Sequence, residues 1–513
     1  MTIGIREHCW KVASLATAVF LLGGALRLFA FTQDHVINPD AIVYIQQAKA
    51  LHYGLFHLVT SCVSSVSIYP VLIETGYRLV GDWVLSAKII SLLAGTLVLL
   101  PLYGLLRRFH DARISCLALL VFAVNPTFVA WSHAIIRDPL FWLFLALGIY
   151  FVVVQIEGSK GRYLVLSSVC FLAAACARIE GAAFIIISLS YLVLIPRKGR
   201  LKRAIFFGGP VLAFFASALI AGYLLGQNFL AILRVEMVGD RLFTFLREYK
   251  ELREHLNYFS ENPPAGFPLY FFSYVRNLTW LIALGTLAVD VVRAFFVPFF
   301  IVFLVGVGDR GRWLRKDPRL LYLSILSCVA LVVLYEQIIS TWFMYTRFAA
   351  LFLLPSFVFV GFGLKKIVDY FAALLNANKQ TICLGVCLLA LVVSLPKSLK
   401  PKDESNKTVF KEIGEYAAQL EPRKKAVFVK GNMKEIQLVN FYANEKRENA
   451  ECYLLGLDSS RFAKTTDWDF LLLSGVEAES MSSRSTGTEI PLVKLKEWRT
   501  ADKRHLVLFE VKH

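Results

Sequence analysis

Long apolar runs alternate with short basic connections along most of this 513-residue chain. A helix needs roughly 20 apolar residues to cross about 30 Å of hydrocarbon, and stretches such as 12–31 and 85–106 have that character. The pattern predicts about eleven spans, near 11–31, 84–106, 113–131, 138–155, 162–177, 179–195, 204–226, 280–305, 319–336, 342–363 and 380–396. The first follows Arg6 and Lys11 as a signal peptide does, yet it runs too long and meets no small-residue cleavage site, so it reads as a retained helix.

The connections set the topology. Lys and Arg gather at 107–113, 159–162, 197–203, 310–319 and 365–379, and the positive-inside rule puts those loops in the cytoplasm. The N terminus is then cytoplasmic and, with an odd number of spans, the C terminus lies outside. Three long segments fall on the outer face: loops 32–83 and 227–278, and the tail. In the first loop, 40–55 and 71–80 read as helices lying along the interface. The second holds a charged amphipathic stretch, 229–259, ended by Asn262-Pro263-Pro264-Ala265-Gly266, with an aromatic interfacial stretch at 267–280. After Pro396 the chain becomes charged with nearly balanced signs. Strands are expected at 427–429, 453–455, 470–473 and 506–511, and helices at 409–420 and 434–442. The expected architecture is a mainly α polytopic membrane domain over 1–396, followed by a small soluble α/β domain over 397–513 on the non-cytoplasmic side.

Composition agrees. Hydrophobic residues make up 57% of the chain and charged ones 18%, more apolar surface than a soluble core of this length hides. The net charge of +17 does not point to nucleic acid, because the basic residues are confined to the short connections. The cysteines lie mostly inside apolar runs and show no disulfide or metal-ligand spacing; only Cys62 and Cys452 leave a pairing open.

Candidate chemistry concentrates on the outer face. Asp40 follows the turn signal Asn38-Pro39, and Asp138 precedes Pro139 at the start of a span. Each also suits a plain structural role as a helix N-terminal acid. Arg178 and Glu180 lie in the tight turn between two spans, where an ion pair holding the hairpin is the structural alternative. Arg347 enters a span from outside, and Lys88 and Arg241 add cations near the same face. Cations beside carboxylates suit an anionic ligand and a proton-coupled reaction.

These residues also occur in a familiar order. Asp40, Tyr44 and Ala48, then Tyr69-Pro70, Leu79-Val80-Gly81 and 87–91, then Asn125-Pro126, Asp138-Pro139-Leu140, 178–181, Glu236 with Arg241, and 347–355 resemble the membrane glycosyltransferases of the GT-C fold. More narrowly, the chain is similar to glycosyltransferase family 39, the protein mannosyltransferase and aminoarabinose transferase group. It departs from the group's usual first-loop acidic pair, since Ala41 follows Asp40, and Lys88 stands where Arg is usual.

The resemblance implies transfer of a sugar from a polyprenyl-phosphate donor to a lipid, glycan or protein acceptor at the outer face, by inverting displacement. Asp40 is then the base, with Asp138 orienting substrate or sharing that role. Tyr44, Tyr69, Lys88, Arg178, Glu180, Glu236, Arg241, Tyr345 and Arg347 are the substrate-binding candidates. No cofactor is fixed, and a divalent metal stays open. The expected location is the plasma (inner) membrane. The rival class is a transporter or flippase of a lipid-linked or soluble solute, for which intramembrane Asp290 and Arg293 are the available evidence; their spacing of three allows mutual neutralisation.

Overall fold

The computed structural model describes residues 2–59, 67–158, 160–195, 199–225, 235–308, 317–401, 403–431, 433–447, 468–475 and 492–511. It divides into two compact units: 1–29, 91–133 and 137–400 form one, and 30–90, 134–136 and 401–513 form the other.

The first unit is helical. Over the whole chain, seven described helices are long and apolar enough to cross a membrane, or eight if one bent pair counts as a span, and four more apolar helices are shorter. The chain is an integral membrane protein. Three expected spans are broken rather than continuous. The span at 113–131 divides into Ala112–Ala123 and Pro126–Trp131, with Asn125 capping the second through Thr127 N at 2.9 Å. The span at 280–305 becomes Phe271–Phe295 and Val297–Val307, separated at Phe296, whose φ of 68° ends the first helix; Pro298 follows at the start of the second. The span at 342–363 becomes a 3-10 turn, Thr346–Ala349, followed by Ala350–Ser356 and Val358–Leu374, with a 68° bend.

Backbone groups freed at such breaks need partners, because lipid offers none. Asn125 meets that need at two breaks together: its side-chain amide donates to the carbonyls of Ala294 and Phe295 at 3.1 and 3.0 Å, while its oxygen caps its own helix. The helices Val297–Val307 and Val358–Leu374 cross almost backbone to backbone. A Cβ on Gly306 would lie 1.8 Å from the carbonyl oxygen of Phe359, and one on Gly363 would lie 1.9 Å from that of Val302. Small residues permit this approach, and van der Waals packing then replaces the hydrophobic drive that lipid removes.

The second unit includes a four-stranded sheet in the order β1-β2-β4-β3, with β1 Val429–Gly431, β2 Phe470–Ser474, β3 Leu492–Arg499 and β4 His505–Val511. β1 and β2 are parallel; the other pairings are antiparallel. Helices Ser405–Leu420 and Ile436–Asn444 accompany it. The strand expected at 453–455, together with Cys62 and Cys452, lies outside the described residues. β3 was not expected: it is an edge strand whose outward positions carry Lys494, Lys496 and Arg499, the charged pattern that guards an edge against further pairing. The first-loop helices Pro39–His52, Phe56–Val59 and Ile68–Val80 belong to this same unit.

The glycine crossing yields a stability test. Gly306→Ala and Gly363→Ala are each expected to cost about 1–3 kcal/mol, the usual range for overpacking, seen as earlier thermal unfolding in detergent. Gly385→Ala, whose Cβ meets nothing within 4 Å, leaves the transition in place or raises it. Equal behaviour of all three contradicts the close crossing.

Candidate active site

In the membrane unit, four sequence candidates converge on one buried cluster. Asp138 is the first residue of the helix Asp138–Gly158 and is buried. Arg178 follows the helix Gly161–Ala177 in an extended conformation, and Gly181 opens the next helix so close to it that a Cβ there would lie 2.6 Å from the backbone nitrogen of Ala175. That tight reversal turns the Arg178 guanidinium towards two acids. Its Nη1 donates to Asp138 Oδ1 at 2.6 Å, while Nη2 and Nε donate to Glu180 Oε1 and Oε2 at 3.1 and 3.3 Å. The second oxygen of Asp138 lies 3.7 Å from Arg347 Nε, presented by the Thr346–Ala349 turn.

Aromatic rings complete the setting. Phe348 lies under Arg178 at 4.1 Å, and Arg347 lies over Tyr345 and Trp131 at 4.3 and 4.7 Å. Asp138, Arg178 and Arg347 are only 3%, 5% and 6% exposed, a depth at which one unpaired charge costs several kcal/mol. Two guanidinium groups against two carboxylates leave the cluster formally neutral.

A cavity of about 490 Å³ opens beside it. Arg178, Glu180, Gln337, Ser340 and Thr341 give it polar lining, and Ile186, Val333, Leu334 and Leu351 give it apolar lining. Such a surface suits a ligand with a charged head and a hydrocarbon chain. Glu248 and Glu336 also line it, and neither was anticipated.

The remaining candidates are placed elsewhere. Asp40, Tyr44, Tyr69 and Lys88 belong to the second unit. Asp40 is exposed in the first turn of Pro39–His52. Tyr44 meets Tyr69 edge to face at 5.3 Å, and the Tyr69 hydroxyl donates to the carbonyl of Ala87 at 2.9 Å. Lys88 is committed to Asp34, pairing with its carboxylate at 3.4 Å and donating to its carbonyl. Glu236 and Arg241 fall in the helix Val235–Glu261, and their side chains lie outside the described residues. Asp290 and Arg293, the candidate transport pair, face each other at 3.5 Å. Among the described residues no group of three or more His, Cys, Asp or Glu is arranged to hold a metal.

Sequence reasoning passed over Arg27. It is fully buried and donates to the carbonyls of Gly95, Gly23 and Ala123 at 2.9, 2.9 and 3.0 Å and to Ser132 Oγ at 3.1 Å. An arginine inside an apolar run was the available signal. Trp131 and Phe348 were missed because aromatic residues are common throughout spans.

Comparison with known proteins places this geometry in context. Residues 67–221 match the family model described as dolichyl-phosphate-mannose-protein mannosyltransferase. The structure is similar to that of ArnT from Cupriavidus metallidurans, solved bound to undecaprenyl phosphate, with a TM-score of 0.55 and 13% identity over 97% of each chain. It is also similar to AglB, the oligosaccharyltransferase of Archaeoglobus fulgidus solved with an inhibitory peptide and a dolichol phosphate, with a TM-score of 0.57 and 12% identity over 92% of this chain and 70% of that one. The apo oligosaccharyltransferase of the same organism gives 0.54 and 13% over 90% and 69%.

The chain has the GT-C fold. Family match and fold together support the resemblance to membrane glycosyltransferases read from the sequence. No curated protein matches it by sequence.

The buried cluster is testable without substrate. Asp138→Ala removes the carboxylate that Arg178 and Arg347 share and is expected to cost about 3–5 kcal/mol. Combining it with Arg178→Ala costs less than the sum of the single effects, because the double variant buries one charge fewer. Strictly additive shifts in unfolding midpoint contradict the coupling.

Proposed function

We propose that this protein transfers a sugar from a polyprenyl-phosphate-linked donor to a hydroxyl of a lipid, glycan or protein acceptor at the outer face of the membrane. The observation that carries the proposal is the buried arginine cluster beside a cavity with an apolar lining. Those two features match the two ends of a polyprenyl phosphate. The GT-C fold and the family match over 67–221 support the same class of chemistry. The gathering of Lys and Arg in the short connections, which the positive-inside rule assigns to the cytoplasm, supports the outer face.

In the proposed reaction, the acceptor oxygen attacks the anomeric carbon from the side opposite the phosphate. The bond from that carbon to the phosphate oxygen breaks, polyprenyl phosphate departs with the electron pair, and configuration inverts. Asp40, in the first turn of its helix, takes the acceptor proton. A phosphate leaves readily as an anion, so a second carboxyl acting as acid is unnecessary, in contrast to glycoside hydrolysis.

Arg178 and Arg347 meet the charge that develops on the phosphate. An entering phosphate takes the place of Glu180 at one edge of Arg178. Asp138, shared by both arginines, orients them. Of the two roles open to it, this arrangement favours positioning over proton transfer.

Asp40→Asn is expected to lower turnover by about 10² to 10⁴ without changing the unfolding midpoint. Arg347→Ala is expected to lower it by about 10² to 10³. Both are checked with purified protein and radiolabelled polyprenyl-phosphate sugars. Wild-type turnover in Asp40→Asn removes that residue from the base role, and unchanged turnover together with unchanged donor affinity in Arg347→Ala removes the phosphate contact.

A further inference from the structure

The helix that carries Asp40 is tied down at both ends by residues of the tail. On the upstream side, Glu404 Oε2 accepts from the backbone N–H of His35 and of Val36 at 3.0 and 3.1 Å, and Tyr442 Oη accepts from the N–H of Ile37 at 2.9 Å. These three consecutive donors precede the helix Pro39–His52, in a stretch with no regular structure to satisfy them, so they depend on side chains. On the downstream side, Lys49 Nζ donates to the carbonyls of Asn444, Glu445 and Arg447 at 3.4, 2.9 and 3.3 Å. Those carbonyls close the helix Ile436–Asn444, the end at which a cation is favoured. Lys49 is 1% exposed. Burial draws its pKa down to about 8, with Glu445 acting in the opposite sense.

The receiving surface is itself rigid. Asn440 and Asn444, four residues apart on that helix, each bond both the N–H and the carbonyl of one residue of the adjoining segment: Asn440 takes Val429, and Asn444 takes Val427, all at 2.7–2.8 Å. Arg447 then donates to the carbonyls of Ala418, Glu421 and Lys424. Beside exposed Asp40, the neighbouring Ala41 and Ile42 are fully buried. The turn that carries Asp40 is therefore held on a fixed base.

We infer that the tail functions as a clamp that fixes the Asp40-bearing helix through Glu404, Tyr442 and Lys49, which are positioning residues for the proposed base. The catalytic part of this statement rests on the reading of Asp40 given above; the mechanical part does not.

The test is hydrogen exchange on full-length protein in nanodiscs, read together with turnover of an undecaprenyl-phosphate-linked sugar. In Lys49→Met and Tyr442→Phe, exchange across 35–52 is expected to rise about tenfold, while 405–420 and 470–474 keep wild-type protection. Turnover falls with KM unchanged, and Lys49→Arg recovers part of it. Lys49→Met alters only the first-loop side of the contact, so the outcome does not depend on the tail tolerating a substitution. Unchanged exchange across 35–52 in both variants overturns the clamp, and turnover that stays at wild-type level while exchange rises overturns the positioning role of Lys49 and Tyr442. If Asp40→Asn retains full turnover, the base assignment fails, and the exchange data alone decide whether the tail fixes the helix.

Discussion

Asp138, held between Arg178 and Arg347, is the interaction on which the buried charge cluster of the membrane unit depends. In a low-dielectric interior an isolated charge is expensive, so each must be answered by a partner or by ordered dipoles. The cluster answers four at once: Asp138 bridges two guanidinium groups, Glu180 takes the remaining edge of Arg178, and aromatic faces lie against both cations. Arg27 meets the same requirement with backbone carbonyls and no carboxylate.

Holding those groups requires interrupted helices. Arg178 sits in a reversal made possible by Gly181, Arg347 in a 3-10 turn before a 68° bend, and Asp138 at a helix start fixed by proline. Such irregular backbone survives in a membrane only where its polar groups are satisfied by protein. Asn125, bonded to its own helix start and to the carbonyls before Phe296, illustrates how this is done. Charge placement and fold irregularity therefore share a cause: the breaks that place charged side chains also create the polar backbone that must be sheltered.

Much of this was legible in the chain. Hydropathy and basic loops gave the helical membrane architecture, and Asp138, Arg178, Glu180 and Arg347 stood out because charge beside apolar runs is rarely idle. Arg27 did not, since a single arginine within a long apolar helix leaves the mean hydropathy of the run high. Lys88 pairs with Asp34 across 54 positions, which no local pattern reveals. The joining of the first loop to the tail was equally hidden: its bonds run from plain backbone N–H groups to Glu404 and Tyr442 and from Lys49 to plain backbone carbonyls, and backbone groups leave no mark on a sequence. Edge strand β3 escaped because its charged outer positions imitate a loop.

The central claim is that a phosphate leaves as a sugar is transferred, and the most direct measurement follows both products. Purified protein in nanodiscs is supplied with a polyprenyl-phosphate sugar of defined anomeric configuration and a hydroxyl-bearing acceptor. The account predicts one free polyprenyl phosphate released for each glycosylated acceptor, with the new linkage inverted relative to the donor. Retention of configuration contradicts the single displacement. Movement of intact donor across the bilayer without release of polyprenyl phosphate contradicts the enzymatic reading and assigns the molecule to transport.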